Sequence, residues 1–152
     1  MVNRFKDHVI RKLAAIEKSE KDVKLQAKNE DDIRGLMDAY FRNLHQAMYK
    51  TITNGKKCEN CGNNKNLQRC HTVHSRKELE IQAIRDAPVD QNGFKSSKAI
   101  LIHYLKLHLD EDVKIMCQPC HREYDELLEK VRTICKDHKK EYEWAFKTLL
   151  KI

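Results

Sequence analysis

The chain lacks any apolar run approaching the roughly 18 residues that a membrane-spanning helix needs, so no membrane contact is expected. It also lacks an apolar leader: MVNRFKDHVIRKL is charged and amphipathic, with neither a hydrophobic core region nor a small-residue cleavage site. These two absences predict an intracellular protein, in cytoplasm or nucleus, that is not secreted. Aromatic residues are scarce, at 7% against 35% charged residues, so the hydrophobic core is expected to be thin. Small, thin-cored domains often draw on a metal or a disulfide for stability. There is no internal repeat, low-complexity tract or clear linker in the 152 residues, which favours one domain with a helical extension.

What the chain does have is cysteine in pairs. Of six cysteines, four fall in two C-x2-C units, Cys58/Cys61 and Cys117/Cys120. In an intracellular chain that spacing reads as metal before disulfide. Each C-x2-C turn can aim two thiolates at one ion, and two such turns supply the tetrahedral set that structural zinc prefers. A closed site of this kind has no open position for water, so it staples the fold and leaves the chemistry to other residues. Lys and Arg outnumber Asp and Glu by 30 to 23, net +7, which points to an acidic partner such as nucleic acid. Most of the excess lies in residues 1–57.

The apolar spacing predicts the elements. Phe5, Val9, Leu13 and Ile16 recur at helical steps, giving a helix from 3 to about 28. A second helix, capped by Asp31 or Asp32, carries Ile33 to Met48 and stops near Gly55, so the two are expected to form an antiparallel hairpin. NLQRCHTV reads as a short hairpin. SRKELEIQAIRDA reads as a helix capped by Ser75 with Glu78 three residues on. SSKAILIHYLKLHL reads as an apolar helix on which His103 and His108 pack or lie at the surface. VKIM is a strand running into CQPC, followed by a helix from His121 to about Lys136 and a last helix over 141–150 anchored by Trp144. Cys135 is assigned to a helix core, and one Cys135/His138 pair makes no metal site.

Around the cysteines lie residues with chemistry. His121 and Asp125 share a helix face at four-residue spacing, suited to holding one divalent ion together. His71 lies between the two cysteine pairs, where a histidine facing a metal can take a proton from water. Arg69, Arg76 and Lys77 are candidate contacts to a phosphate backbone, as are Lys56 and Lys57 beside the first cysteine pair.

CENC at 58–61, LQRCHTVHSR at 67–76 and DVKIMCQPCHREYD at 112–125 together resemble the HNH nucleases of the zinc-stapled ββα-metal, treble-clef type. The resemblance spans residues 58 to about 128. It implies a metal-dependent endonuclease hydrolysing phosphodiester bonds in DNA. His71 falls on the general base and His121 on a ligand of the catalytic metal, Mg²⁺ or another divalent ion. Asp125 falls where some members place a further ligand, and Asp112 near the usual loop-orienting Asn. Cys70 falls where Asp or His is usual. A thiolate suits zinc better than Mg²⁺, so His74 or Asp125 is the alternative for that position.

The expected fold is therefore α+β and mostly helical. It consists of an N-terminal helical extension (1–57), a zinc-bound treble-clef ββα core (58–136) with a helical insert (77–111), and a C-terminal helix (137–152). The rival expectation is a catalytically inactive zinc-stapled module on the same scaffold, binding DNA or protein. In either case the helical extensions offer a surface for a homodimer or a protein partner.

Overall fold

A computed structural model describes residues 4–26, 29–49, 55–71, 74–111, 113–134 and 144; the side chains at 4, 49, 71, 132 and 134 are outside that description. The chain divides into two compact units, Met1–Lys50 with Arg76–Asp110, and Thr51–Ser75 with Glu111–Ile152. Among the described residues it is mostly helical with two small two-stranded sheets. Among the described residues no helix is long and apolar enough to cross a membrane.

In the first unit, α1 (Arg4–Lys18) buries Phe5 and Val9. It ends ten residues before the expected limit, where the Ser19 N–H donates to the carbonyls of Ala15 and Ile16 at 3.1 Å. The reason is local: residues 17–22 are EKSEKD, so no apolar face carries a helix onward. The chain instead forms β1 (Lys24–Gln26), with Leu25 buried. Next, α2 (Glu30–Tyr49) buries Ile33, Met37, Phe41 and Met48. Its cap is Asn29, not Asp31 or Asp32. The Asn29 Oδ1 accepts the Asp32 N–H at 2.8 Å and its Nδ2 donates to the Asp32 carboxylate at 2.8 Å, a reciprocal cap that satisfies a free N–H of the first turn.

The insert contributes α3 (Arg76–Asp86), β3 (Phe94–Ser96) and α4 (Ser97–Leu109). Ser96 caps α4 by accepting the Ala99 N–H at 3.1 Å. β3 pairs antiparallel with β1, placing Leu25 opposite Lys95. The α1 helix lies against both α2 and α4, and α3 lies against α2 and α4. The expected hairpin of two N-terminal helices is thus part of a larger assembly, and the insert folds with the N-terminal segment instead of with the segments that carry the paired cysteines. The residues that join them are apolar and fully buried: Leu79, Ala83, Ile84, Ile100, Tyr104 and Leu105. Each large one contributes about 2 kcal/mol by leaving water. Tyr104 sits 4.8 Å from the Phe41 ring.

In the second unit, β2 (Leu67–His71) pairs antiparallel with β4 (Val113–Cys117), in register from Leu67↔Cys117 to His71↔Val113. Residues 67–71 therefore find their partner more than forty residues on, and not in a local hairpin. The α5 helix (Gln118–Ile134) follows β4 without a break, completing a strand, strand, helix order. The predicted last helix lies outside the described residues except for Trp144, as do Cys135 and His138.

Candidate metal centre and the face of the strand pair

The first cysteine turn is built by backbone hydrogen bonds. Cys58 N–H donates to the Asn63 carbonyl at 2.7 Å and Gly62 N–H to the Cys58 carbonyl at 2.8 Å. Gly62 has φ +77°, a left-handed conformation that a side chain would strain. Glu59 then stitches the turn to β4: its N–H donates to the Ile115 carbonyl at 2.9 Å, and its carboxylate accepts the Ile115 N–H at 2.5 Å. Across the ladder, Gln118 N–H donates to the Asn66 carbonyl at 3.1 Å. These bonds bring Cys58 and Cys61 to the junction of β4 and α5, where Cys117 and Cys120 lie.

The four thiols form one cluster, with all ligand atoms within 4.8 Å of one another and Cys61 Sγ 3.6 Å from Cys117 Sγ. Tetrahedral zinc with bonds of about 2.3 Å sets its sulfurs roughly 3.8 Å apart, so the cluster fits a structural metal such as zinc. The five described cysteines are free thiols. Cys61 N–H points at Cys58 Sγ at 3.5 Å, and the Asn60 amide donates to Cys120 Sγ at 3.3 Å. Burial raises the Cys58 thiol, but backbone N–H groups of Cys117, Cys61 and Asn60 outweigh it and bring it down to about 6. For Cys120 the Asn60 amide favours the thiolate, yet the neighbouring thiols and burial carry it up to about 12. A divalent cation among the four sulfurs favours the ionised form of each.

A second group of polar residues lies where α5 meets β2. His121 Nδ1 donates to the Gln68 side-chain oxygen at 2.8 Å, and His121 Nε2 is 3.5 Å from Asp125 Oδ2. The Gln68 oxygen only accepts, so the Nδ1 position carries a proton and, in the neutral ring, Nε2 keeps its lone pair. A lone pair and a carboxylate oxygen at this separation suit one bridging cation. Both side chains reach solvent, at 23% and 63% exposure.

Cys70 is not part of that group. It is fully buried in a small core with Cys58, Met116 and Cys117, against Leu67 and Tyr124. Burial, with the charge of Asp125 added, pushes its thiol up to about 12. Among the described residues it stands outside the group of side chains placed to share a metal ion, and it packs as core. Among the described residues the four-cysteine cluster is the one group of three or more metal-ligating side chains. His71 is the last residue of β2, opposite Val113; its side chain, like the whole of Asp112, is outside the described residues.

His74, expected to be a spare ligand, is instead buried. Its ring nitrogens face Glu111 Oε1 at 2.5 Å and the Trp144 carbonyl at 3.3 Å. The Trp144 ring stacks on it with centroids 3.5 Å apart and planes at 16°. Glu111 was missed in the sequence because it sits in an acidic run, DED, that reads as a solvated loop.

The basic candidates separate. Lys56 and Lys57 are exposed and precede Cys58, and Arg69 is half-buried on β2 opposite Ile115. Lys77 is exposed on α3. Arg76 belongs to the first unit, where its Nε donates to Glu80 at 3.0 Å and its Nη2 lies 3.9 Å from Asp38. His108, on α4, is fully buried. It donates from Nδ1 to the Tyr104 carbonyl at 2.7 Å, a packing role as expected. No family model, curated protein or solved structure matches this chain.

Proposed function

We propose that the chain is a metal-dependent DNA endonuclease of HNH type, built on a treble-clef ββα core with structural zinc on Cys58, Cys61, Cys117 and Cys120. The observation that carries this reading is His121. It directly follows the second cysteine pair, is oriented by Gln68 of β2, and presents Nε2 beside Asp125. This is how a metal-ligating histidine is prepared, with the second ring nitrogen engaged by a neighbouring oxygen.

In this reading His121 and Asp125 hold a divalent ion such as Mg²⁺ or Mn²⁺. When bound, that ion stabilises charge on the scissile phosphate and its leaving oxygen. His71, at the end of β2, accepts a proton from the attacking water. Asp112 steadies the loop before β4. Lys56, Lys57, Arg69 and Lys77 contact the phosphate backbone, with Arg76 contributing through the nitrogens that Glu80 leaves free. Thiols reserved for zinc fit an intracellular site of action. Nicking of supercoiled plasmid with Mg²⁺ or Mn²⁺, wild type against His71→Ala, tests the assignment.

One observation favours a second reading, a zinc-stapled DNA- or protein-binding module without catalysis. The burial of Cys70 removes a ligand at a position where the HNH pattern has Asp or His. Metal titration separates the two. A second divalent ion per chain, lost in His121→Ala, supports the nuclease, and one zinc alone supports the module. The helical unit offers the module a surface for a protein partner or a second copy.

A further inference from the structure

Glu80 is fully buried on α3, and its carboxylate is shared by two arginines. Its Oε2 accepts from Arg34 Nε at 3.0 Å and its Oε1 from Arg76 Nε at 3.0 Å. Elsewhere on the same pair of helices, Arg85 binds Glu30 through both Nε and Nη2, at 2.8 and 2.9 Å. That fork-to-carboxylate contact is the efficient way to tie two helices. Arg34 and Arg76 spend only Nε on Glu80. Among the described residues, the terminal nitrogens of Arg34 and Arg76 make no hydrogen bond, and Arg76 Nη2 lies 3.9 Å from Asp38.

A buried carboxylate is a costly way to hold helices together where apolar packing would serve. What it does provide is two guanidinium groups fixed side by side with their terminal donors unspent and one-third exposed. The network continues as a string, Arg42–Asp38–Arg76–Glu80–Arg34, with Arg42 bound to Asp38 at 3.2 Å. Three cations against two anions leave it positive, and Lys77 is exposed next to Arg76. Planar forks held in place are suited to phosphate oxygens, and a row of cations matches the repeated charges of a nucleic-acid backbone better than a single phosphate.

From this geometry we infer that Arg34 and Arg76, positioned by Glu80, form a clamp on α2 and α3 for the phosphodiester backbone of a nucleic acid. The inference rests on the nucleic-acid reading above and extends it to the helical unit. It is tested by binding, so a chain that binds through the clamp and cuts nothing removes the nuclease and leaves the clamp.

The experiment is fluorescence anisotropy of a short labelled DNA duplex titrated with full-length protein at several salt concentrations. A His71→Ala background prevents cleavage. Arg34→Gln and Arg76→Gln should each weaken binding several-fold and lower the slope of log affinity against log salt by about one. Arg11→Gln, which removes the same charge from an exposed position of α1, should leave both nearly unchanged. Arg34→Lys keeps the charge beside Glu80 but loses the fork, and should fall between wild type and Arg34→Gln. If Arg34→Gln does not fold, Arg34→Lys decides the matter, and wild-type binding there overturns the clamp. Clamp variants indistinguishable from Arg11→Gln also overturn it. So does Arg34-dependent binding of a phosphoserine peptide with no binding of the duplex.

Discussion

The Nδ1 of His121 and the side-chain oxygen of Gln68 are 2.8 Å apart, a bond from the first turn of α5 to the second residue of β2. It couples the residue after Cys120 to a strand that begins six residues after Cys61. The helix, the strand and the cysteine cluster thus become one mechanical object. Loss of the metal should then disturb more than the cysteines.

Purified protein should carry one tightly bound zinc per chain, read by elemental analysis. Replacing Cys117, which is buried at the end of β4, by Ser should abolish that stoichiometry. Strong chelators should remove the zinc and lower the helical signal of circular dichroism, because among the described residues of the second unit the buried apolar side chains beyond the cluster are Cys70, Ile115, Met116 and Val131. Unchanged spectra and thermal unfolding in the metal-free protein would show that the cysteine cluster is not a staple.

The buried His74–Glu111 pair should matter for stability. His74→Ala leaves the Glu111 carboxyl, 6% exposed, without that hydrogen-bond partner, and a buried polar group left unpaired costs about 1–3 kcal/mol. Trp144 is the single tryptophan of the chain and stacks on His74, so its fluorescence reports on the same place. Urea unfolding followed by that fluorescence should show a lower midpoint for His74→Ala. The double substitution His74→Phe with Glu111→Leu should recover much of the loss. A midpoint unchanged in His74→Ala would contradict the pairing.

Acid should weaken the helical unit through His108. Burial lowers this imidazole from the ordinary 6.5 to about 4, against the smaller raising effect of the Tyr104 carbonyl. Between those values the unfolded chain binds a proton that the folded chain refuses. Stability is therefore full above the unfolded value and declines as pH falls through this window, by about 3 kcal/mol in all. In His108→Leu, the difference between urea midpoints at neutral pH and at the acid end of the window should shrink. Equal acid sensitivity in both proteins would place the effect in other groups.

The features legible in the sequence were those with local grammar. C-x2-C spacing repeated twice located the four-cysteine cluster, and helical apolar steps located α2, α4 and α5. VKIM declared itself a strand by its β-branched and apolar run before CQPC. What escaped depends on distant partners. Nothing near LQRCH indicates that its ladder partner is VKIMC, nor that the insert helices pack against α1 and α2. Arg76 and Glu80 are four apart on one helix, a readable pair, but Arg34 comes from another element and turns the pair into a cluster. Cys70 looked like a metal ligand beside His71, and its role as core filling follows only from α5 and the first cysteine turn closing over it.

The proposed role of His71 is to activate water for phosphodiester cleavage. The most direct measurement is the rate of supercoiled-plasmid nicking by zinc-loaded protein with added Mg²⁺ or Mn²⁺, in wild type and His71→Ala, with folding checked by Trp144 fluorescence. Nicking should depend on the added metal and fall by about 10²-fold or more in the variant, while zinc content and fluorescence stay the same. Nicking at the wild-type rate in His71→Ala, or none in the wild type with either ion, would contradict it.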